Sequence, residues 1–217
     1  KLSLKKSRTI IIDNEHYKIF IPSNSECTSL VIPYGGTIDS SLEVSSELSK
    51  KYPFLKKDYF LSISRSLEDN KIDELCNIFK DSNKKLVLIS NFSKSEYGKN
   101  VLNKYSNINN IHLIDGLYNK PELDLVRRKC LAYIHTHTLC GTAPSLVEMI
   151  VSGRPILSID IPQNRYTLKD EGYFFKNFED LQSHLKLNNS MECYIPKKDL
   201  ITSYSWKNIV KKYESIY

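Results

Sequence analysis

The sequence lacks most of the features that would place it in a broad class at once. None of its 217 residues falls in an apolar run long enough to span a bilayer, and no signal peptide is expected. The five cysteines are scattered without CxxC spacing, which argues against a disulfide framework or a structural zinc site. No P-loop, GxGxxG fingerprint, Ser-His-Asp order or internal repeat is found. These absences predict a cytoplasmic protein that uses none of these motifs for its function.

The charge is modest and spread along the chain. Lysine and arginine number 31 against 25 aspartates and glutamates, a net charge of +6. This excess fits an anionic ligand, or peripheral association with the inner face of a cell membrane. Nucleic acid is not expected as a partner, because no basic stripe is interleaved with aromatic residues. With 41% hydrophobic residues, the chain can bury one good core.

Strand-like and helix-like patterns alternate from residue 58 onward. Each apolar run of strand length is followed by a segment with helical spacing, which indicates a mostly parallel sheet covered on both faces. Right-handed crossovers then give an α/β fold, a Rossmann-like three-layer sandwich. The predicted strands are 59–64, 86–89, 111–114, 131–135, 155–159 and 173–175; the predicted helices between and after them include 72–79, 95–105, 121–129 and 178–187. Upstream, 9–12 is strand-like and 42–50 is a short helix.

The stretch from residue 131 to 160 carries the strongest signal for a site. It is predicted to be strand, loop, helix, turn and strand, with Pro144 in the first helical turn and Gly153 after the last. Free backbone N–H groups at such a helix N-terminus, beside the carboxyl end of a parallel strand, bind phosphates. Gly141, Thr142 and Ser145 are therefore predicted to contact an anionic ligand.

Glu148 is the one acid on this predicted helix. A carboxylate there can accept two hydrogen bonds from a vicinal diol such as a ribose. A solvated helix glutamate explains the residue equally well.

These residues together resemble a known family. The run YIHTHTLCGTAPSLVEMIVSGRPILSID is similar to the donor-binding core of family 4 GT-B glycosyltransferases, closest to a bacterial rhamnosyltransferase-like subgroup. The HxH, the Gly-Thr-x-Pro-Ser loop and the single glutamate occur in the same order. The resemblance implies binding of a nucleotide-diphosphate sugar, such as dTDP-rhamnose, for transfer to a saccharide or lipid-linked acceptor in surface polysaccharide synthesis. It implies no metal and no cofactor beyond the donor.

The resemblance also implies a domain organisation. An Ile-Pro-Tyr-Gly run at Ile32 marks the crossover between the two GT-B domains. Residues 1–33 then form the tail of the N-terminal domain, 34–203 the donor-binding domain and 204–217 a C-terminal amphipathic helix. Without the rest of the N-terminal GT-B domain as its partner, the chain is expected to bind donor with little or no turnover. An exposed apolar face on the last helix would favour dimerisation.

Two further contacts are expected after the first strand of the domain. Arg65 follows that strand, where a forked guanidinium can reach a diphosphate, although a surface arginine is the plain alternative. The family pattern is Gly-Arg with a lysine five residues later. Here Ser64 replaces the glycine and Asn70 the lysine, and the resembled subgroup commonly has asparagine there. Arg65 is assigned to catalysis and, with Asn70, to nucleotide-sugar binding.

His135 and His137 alternate along a strand, so their imidazoles can converge. No third ligand with suitable spacing supports a metal site. The resemblance instead implies that His137 lines the sugar pocket and acts in catalysis.

The resemblance also implies that Asn164 and Arg165 lie at the pocket rim; a polar loop around Pro162 is the alternative. Cys140 stands where many relatives have a first, sugar-contacting glutamate, and nothing indicates that it is a nucleophile.

Two other functions remain open at the level of sequence. A nucleotide-sugar epimerase of GT-B fold would use the same phosphate site, but needs acid and base carboxylates, and only Glu148 is well placed. A non-catalytic nucleotide-binding or interaction module would explain the departures at Asn70 and Cys140.

Overall fold

A short parallel pair of strands precedes the main domain. The computed structural model describes residues 7–187 and 190–216. Strands β1 (Thr9–Ile12) and β2 (Thr28–Val31) pair in parallel, with Ile10 opposite Ser29. A 3₁₀ helix, Glu15–Phe20, lies between them and begins where the Asn14 side chain accepts a hydrogen bond from the His16 N–H.

The main sheet has six strands, and every neighbouring pair is parallel. Its spatial order is β5-β4-β3-β6-β7-β8. The strands are β3 (Phe60–Ile63), β4 (Leu86–Ser90), β5 (Ile111–Asp115), β6 (Ala132–His135), β7 (Ile156–Ile159) and β8 (Tyr173–Phe175). The helices are α1 (Ser46–Lys51), α2 (Ile72–Lys80), α3 (Glu96–Tyr105), α4 (Lys120–Lys129), α5 (Pro144–Ser152), α6 (Pro162–Leu168), α7 (Phe178–Lys186), α8 (Lys198–Ser203) and α9 (Trp206–Glu214).

Burial on both faces explains the composition of the central strands. All residues of β4, β6 and β7 are buried, as expected for parallel strands with helices on each side. Two apolar clusters result. One includes Leu61, Tyr133 and Val147, and the other includes Phe60, Ile134 and Phe79. Because adjacent strand residues point to opposite faces, Phe60 and Leu61 fall into different clusters. The predicted α/β Rossmann-like sandwich is confirmed.

Local sequence signals set most helix boundaries. Side chains of four residues accept hydrogen bonds from the first turn of their helices: Ser45 of α1, Ser95 of α3, Asn119 of α4 and Asn177 of α7. Such caps satisfy amide groups that have no partner within the helix. At the other end of α5, Gly153 adopts the left-handed conformation (φ 66°) that stops a helix.

Three segments differ from the sequence-based expectation. The helix predicted at 42–50 begins only at Ser46, because Ser45 caps it. The segment around Pro162, expected at the rim of the pocket or as a polar loop, is largely helix α6; Pro162 occupies its first turn, where no N–H is needed. Helix α8 was not predicted, because its six residues are too few to show a helical period.

The C-terminal helix packs near the crossover. The Gly36 N–H donates to the Tyr204 carbonyl at 2.9 Å, and a Cβ on Gly35 would lie 2.6 Å from the Trp206 ring. Helix α9 buries Ile209 and leaves Trp206, Val210 and Tyr213 partly exposed. Within the described ranges, no helix is long and apolar enough to cross a membrane. The predicted domain limits stay predictions; residues 1–6 and 217, at their outer ends, lie outside the described part.

Candidate functional site

The strand order creates a crevice between β3 and β6. From β3 the chain moves outward through β4 to β5, then returns to place β6 on the other side of β3. Connections leaving β3 and β6 therefore diverge at the carboxyl edge of the sheet. Ligands of open α/β sheets bind at such a switch point.

A cavity of about 760 Å³ occupies this crevice. Its walls come from residues that follow β3, β4, β5 and β6 and from the start of α5. The lining includes Asp13, Tyr34, Ser64, Arg65, Asn91, Gly116, Leu117, Tyr118, Leu123, His137, Cys140, Gly141, Thr142, Ala143, Pro144 and Ser145. Pockets for small molecules have volumes of roughly 300–1,000 Å³, so a ligand of nucleotide size fits.

Helix α5 points its N-terminus at this cavity. Ala143 is the N-cap residue and makes no side-chain capping bond, and Pro144 opens the helix. Ala143, Pro144 and Ser145 all line the cavity. The partial positive charge of an uncapped helix start therefore faces the space where a ligand would lie.

The carboxylate of Asp13, a residue that the sequence analysis did not name, lies against the positively charged N-terminus of α5. Its Oδ2 accepts a hydrogen bond from the Thr142 N–H at 3.2 Å, and its carbonyl accepts one from the Thr142 hydroxyl. A Cβ at position 141 would lie 2.5 Å from Asp13 Oδ2, so the carboxylate approaches because Gly141 has no side chain. Both donors of Thr142 are thus committed to the segment after β1. Asp13 lies 129 residues away in sequence, so no local pattern connects the two.

Arg65 lines the cavity, and its guanidinium has no partner among the described residues. It is exposed, and its guanidinium forms no hydrogen bond or ion pair with the residues described here. Its carbonyl accepts bonds from the Leu67 N–H and the Asn70 side chain, which fixes the turn after β3. An unpaired guanidinium at the carboxyl end of a strand is free to bind an anion.

Asn70 is not brought to the cavity. Its side chain is buried and donates to the Arg65 carbonyl at 2.8 Å, while its own carbonyl accepts from the Thr136 hydroxyl. Asn70 therefore joins the turn after β3 to the loop after β6. Asn70 does not line the cavity, so its predicted contact with a nucleotide sugar stays a prediction. The residue connects the turn that carries Arg65 to the loop that carries His137.

His135 and His137 converge as predicted. Their rings stack with centroids 4.3 Å apart, and the two Nδ1 atoms are 3.2 Å apart. Burial lowers the pKa of His135 well below its ordinary value, and the neighbouring His137 adds to this effect. Burial also lowers the pKa of His137 to about 4, with Asp69 opposing and Arg65 reinforcing the shift. Both imidazoles are therefore neutral at pH 7. His137 lines the cavity.

Glu148 lies one turn after Ser145 on α5 and does not line the cavity. Its Oε2 accepts a hydrogen bond from Arg127, whose other amino group donates to Asp124 at 2.7 Å. Arg127 and Asp124 are buried, while Glu148 is about one-third exposed. The second carboxylate oxygen, Oε1, accepts no bond from any residue the structure describes, so it is available to a ligand hydroxyl.

Asn164 and Arg165 are neighbours in the chain but have different surroundings in the structure. Asn164 is buried and donates to the carbonyls of Ile159 (3.1 Å) and His137 (3.4 Å), so it braces the histidine loop without lining the cavity. Arg165 pairs with Asp160 and Asp170 on the outer side of α6. Arg165 does not line the cavity, because helix α6 turns its side chain toward these two acids; its predicted contact at the pocket rim stays a prediction.

Cys140 lines the cavity but is not set up as a nucleophile. Burial raises the pKa of its thiol to about 11, and the carboxylates of Asp13 and Asp69 add to the shift. The thiol form is unreactive at neutral pH. Within residues 7–187 and 190–216, no group of three or more His, Cys, Asp or Glu side chains could hold a metal ion.

Several lining residues that the sequence analysis did not name follow a simple rule. Asn91 comes directly after β4 and Gly116 directly after β5, with Leu117 and Tyr118 next. The rule that ligands bind at the carboxyl ends of parallel strands could have identified them.

Comparison with solved structures gives the class of fold first. No protein-family profile matches the sequence, and no characterised protein sequence matches it significantly. In three dimensions the chain superposes on glycosyltransferases of the GT-B fold, and the Rossmann-like architecture is that of their domains. Sequence identity to these proteins is low, so the likeness establishes the fold.

The particular neighbours include three different glycosyltransferases. Sucrose-phosphate synthase from Thermosynechococcus elongatus superposes with a TM-score of 0.77 at 12% identity, covering 99% of this chain and 58% of the synthase. HepE from Anabaena, in complex with UDP and glucose, gives 0.78 at 13% identity, with 99% and 64% covered. TarM gives 0.71 at 19% identity, with 99% and 44% covered. The chain thus spans between 44% and 64% of the length of these three proteins.

Proposed function

We infer that this chain is the donor-binding part of a GT-B glycosyltransferase and binds a nucleotide-diphosphate sugar. One observation carries this inference: an uncommitted arginine, Arg65, and the uncapped start of α5 line one cavity at the switch point of a parallel sheet. Both features favour an anion with several oxygens. The likeness to HepE, whose solved complexes contain UDP-glucose, supports the same ligand class.

The cavity suggests an orientation for the donor. The diphosphate would lie between Arg65 and the start of α5, near His137. The base would extend toward Leu117, Tyr118 and Leu123, which form one apolar and aromatic part of the lining. A ribose near the first turns of α5 would bring its hydroxyls toward Glu148 Oε1, in keeping with the ribose contact that the sequence predicts.

In the proposed reaction, the bond between the sugar C1 and the diphosphate oxygen breaks, and a bond from C1 to an acceptor hydroxyl forms. The acceptor hydroxyl gives its proton to solvent water, and negative charge develops on the departing diphosphate. Arg65 and the α5 N-terminus would stabilise that charge, which is electrostatic catalysis without a metal ion. From the sequence resemblance, we propose dTDP-rhamnose as donor and a polysaccharide precursor at the cytoplasmic face of a bacterial membrane as acceptor.

Calorimetric titration with UDP, dTDP and GDP tests the binding step and identifies the base. The key variant is Arg65→Ala, and Arg8→Ala is its control: Arg8 is also exposed but does not line the cavity. Loss of charge-assisted hydrogen bonds at Arg65 should weaken binding of the preferred diphosphate about 10- to 100-fold. Arg8→Ala should leave it unchanged. Absence of binding by all three diphosphates, or equal affinities of the two variants, would contradict the proposal.

The epimerase alternative is less well supported by the geometry. Among the described residues that line the cavity, Asp13 is the one carboxylate, whereas epimerisation needs an acid and a base. We propose that this chain by itself turns over little donor, because the acceptor side of a GT-B cleft belongs to the other domain. Incubation with a nucleotide sugar that it binds should release no free sugar.

A further inference from the structure

Three side chains connect the sheet to the cavity through a line of hydrogen bonds. The Tyr133 hydroxyl donates to the Ile63 carbonyl at 3.2 Å. Its oxygen also lies 3.4 Å from His135 Nδ1, and that nitrogen lies 3.2 Å from His137 Nδ1. His135 is fully buried, and His137 is the end of the line that reaches the cavity.

The donors and acceptors along this line allow one consistent placement of protons. A carbonyl cannot donate, so the Tyr133 proton is used on Ile63. The contact between Tyr133 and His135 then requires a proton on His135 Nδ1. His137 Nδ1 must therefore accept, because two N–H groups cannot bond to each other, and the single Nδ1 proton of His135 is shared between the Tyr133 oxygen and His137 Nδ1. In a neutral imidazole the remaining proton of His137 lies on Nε2.

Burial supports the same placement. His135 Nε2 is buried and has no hydrogen-bond partner among the described residues. If it carried a proton, a buried N–H would be left without an acceptor, which is costly. As a lone pair it is an unsatisfied acceptor, a less severe defect. The arrangement thus selects the Nδ1–H tautomer of His135, the less common one for a neutral imidazole in water.

We propose that His135 is a positioning residue that fixes His137 in the Nε2–H tautomer, so that His137 offers a neutral hydrogen-bond donor to an anionic oxygen in the cavity. This role rests on the proposed function, in which the oxygen belongs to the donor diphosphate. A neutral donor beside Arg65 adds a hydrogen bond without adding a second positive charge, which Arg65 would repel. His135 and Tyr133 would then serve binding without touching the ligand.

Nitrogen-15 NMR of the imidazoles decides the tautomers in the free protein, whether or not any nucleotide binds. With His135→Asn and His137→Asn used for assignment, His135 should show a protonated Nδ1 and a bare Nε2 at pH 7. His137 should show the reverse. A protonated Nε2 on His135, or a protonated Nδ1 on His137, would overturn the proposal.

Two substitutions test the consequence for binding. His135→Leu removes the donor to His137 Nδ1, whereas His135→Asn places an amide N–H near the position of the original Nδ1. We expect His135→Leu to lower the affinity for the preferred nucleoside diphosphate about fivefold, the effect of one neutral hydrogen bond, and His135→Asn to restore most of it. Equal affinities for the two variants would reject the positioning role. If the wild type bound no diphosphate, the proposed function would fail, while the NMR result would still decide the tautomers.

Discussion

Asp13 places a negative charge where the sequence alone predicts a site for an anion. The carboxylate accepts from the Thr142 N–H at 3.2 Å and closes against Gly141. It satisfies a backbone donor just before α5. With a diphosphate bound nearby, the same charge would be repulsive. Asp13 would therefore compete with the proposed diphosphate for part of the site.

Asp13→Asn should strengthen diphosphate binding. Two like charges about 8 Å apart at an effective dielectric of about 40 repel by about 1 kcal/mol, so removing one should raise affinity roughly fivefold. Asparagine keeps an oxygen that can accept from Thr142. Glu15→Gln is a matched control, since Glu15 lies in the same segment, pairs with Lys18 at 2.5 Å and does not line the cavity. Calorimetry measures both variants. Weaker binding by Asp13→Asn would show instead that the carboxylate contacts the ligand.

At the scale of elements, a buried ion network joins α4 to α5. Arg127 bonds to Asp124 and Glu148, and Asp124 also accepts from the Asp39 N–H at 2.9 Å and from Lys120. The network sets the position of α5, on which the cavity depends. It also explains why Glu148 is the one acid on an apolar helix: one of its oxygens pairs with a cation that is only 3% exposed.

Arg127→Met should destabilise the fold by about 3 kcal/mol, because the buried Asp124 carboxylate then keeps only Lys120 and the Asp39 N–H as partners and Glu148 loses its cation. Lys129→Met is the control on the same last turn of α4. Lys129 is 42% exposed and lies 3.8 Å from Glu43, so its loss should cost less than about 1 kcal/mol. Urea denaturation gives both free energies of unfolding. Similar small losses for the two variants would show that the network contributes little.

For the whole molecule, the buried His135 and the half-buried His137 make stability depend on pH. The pKa of His137 is lowered to about 4, and that of His135 is also lowered. In the unfolded chain a histidine titrates near 6.5, so between pH 6.5 and 4 the unfolded state binds more protons. Stability must therefore fall as the pH falls through this range. Carboxylates with lowered pKa values act in the same direction, but mainly below about pH 4.

Wild-type protein should lose about 2 kcal/mol at pH 5 relative to pH 7 through His137 alone, from the 1.5 units between pH 5 and the ordinary pKa of 6.5. Urea denaturation at the two pH values measures the loss. His137→Asn should lose less between them, because asparagine does not titrate. Equal stability of the wild type at both pH values would contradict the neutral state of the pair at pH 7.

The fold was largely readable from the sequence because its signals are local. The six strands of the main sheet are apolar runs such as Leu86–Ser90, and capping residues such as Ser95 and Asn177 mark where helices begin. The strand-end position of Arg65 and the uncapped start of α5 also follow from local pattern together with the geometry of parallel sheets. These residues are the part of the candidate site that the sequence itself determined.

Tertiary structure decided the contacts made over long sequence separations. Asp13 meets Thr142 only because the segment after β1 folds against α5. Helix α6 turns Arg165 toward Asp160 and Asp170 and buries Asn164 behind His137. Glu148 meets Arg127 only through the packing of α4 on α5. The pattern of a sequence indicates which face of each segment is apolar and will be buried. The partner of a polar side chain depends on which other segments come to lie beside it when those faces pack together.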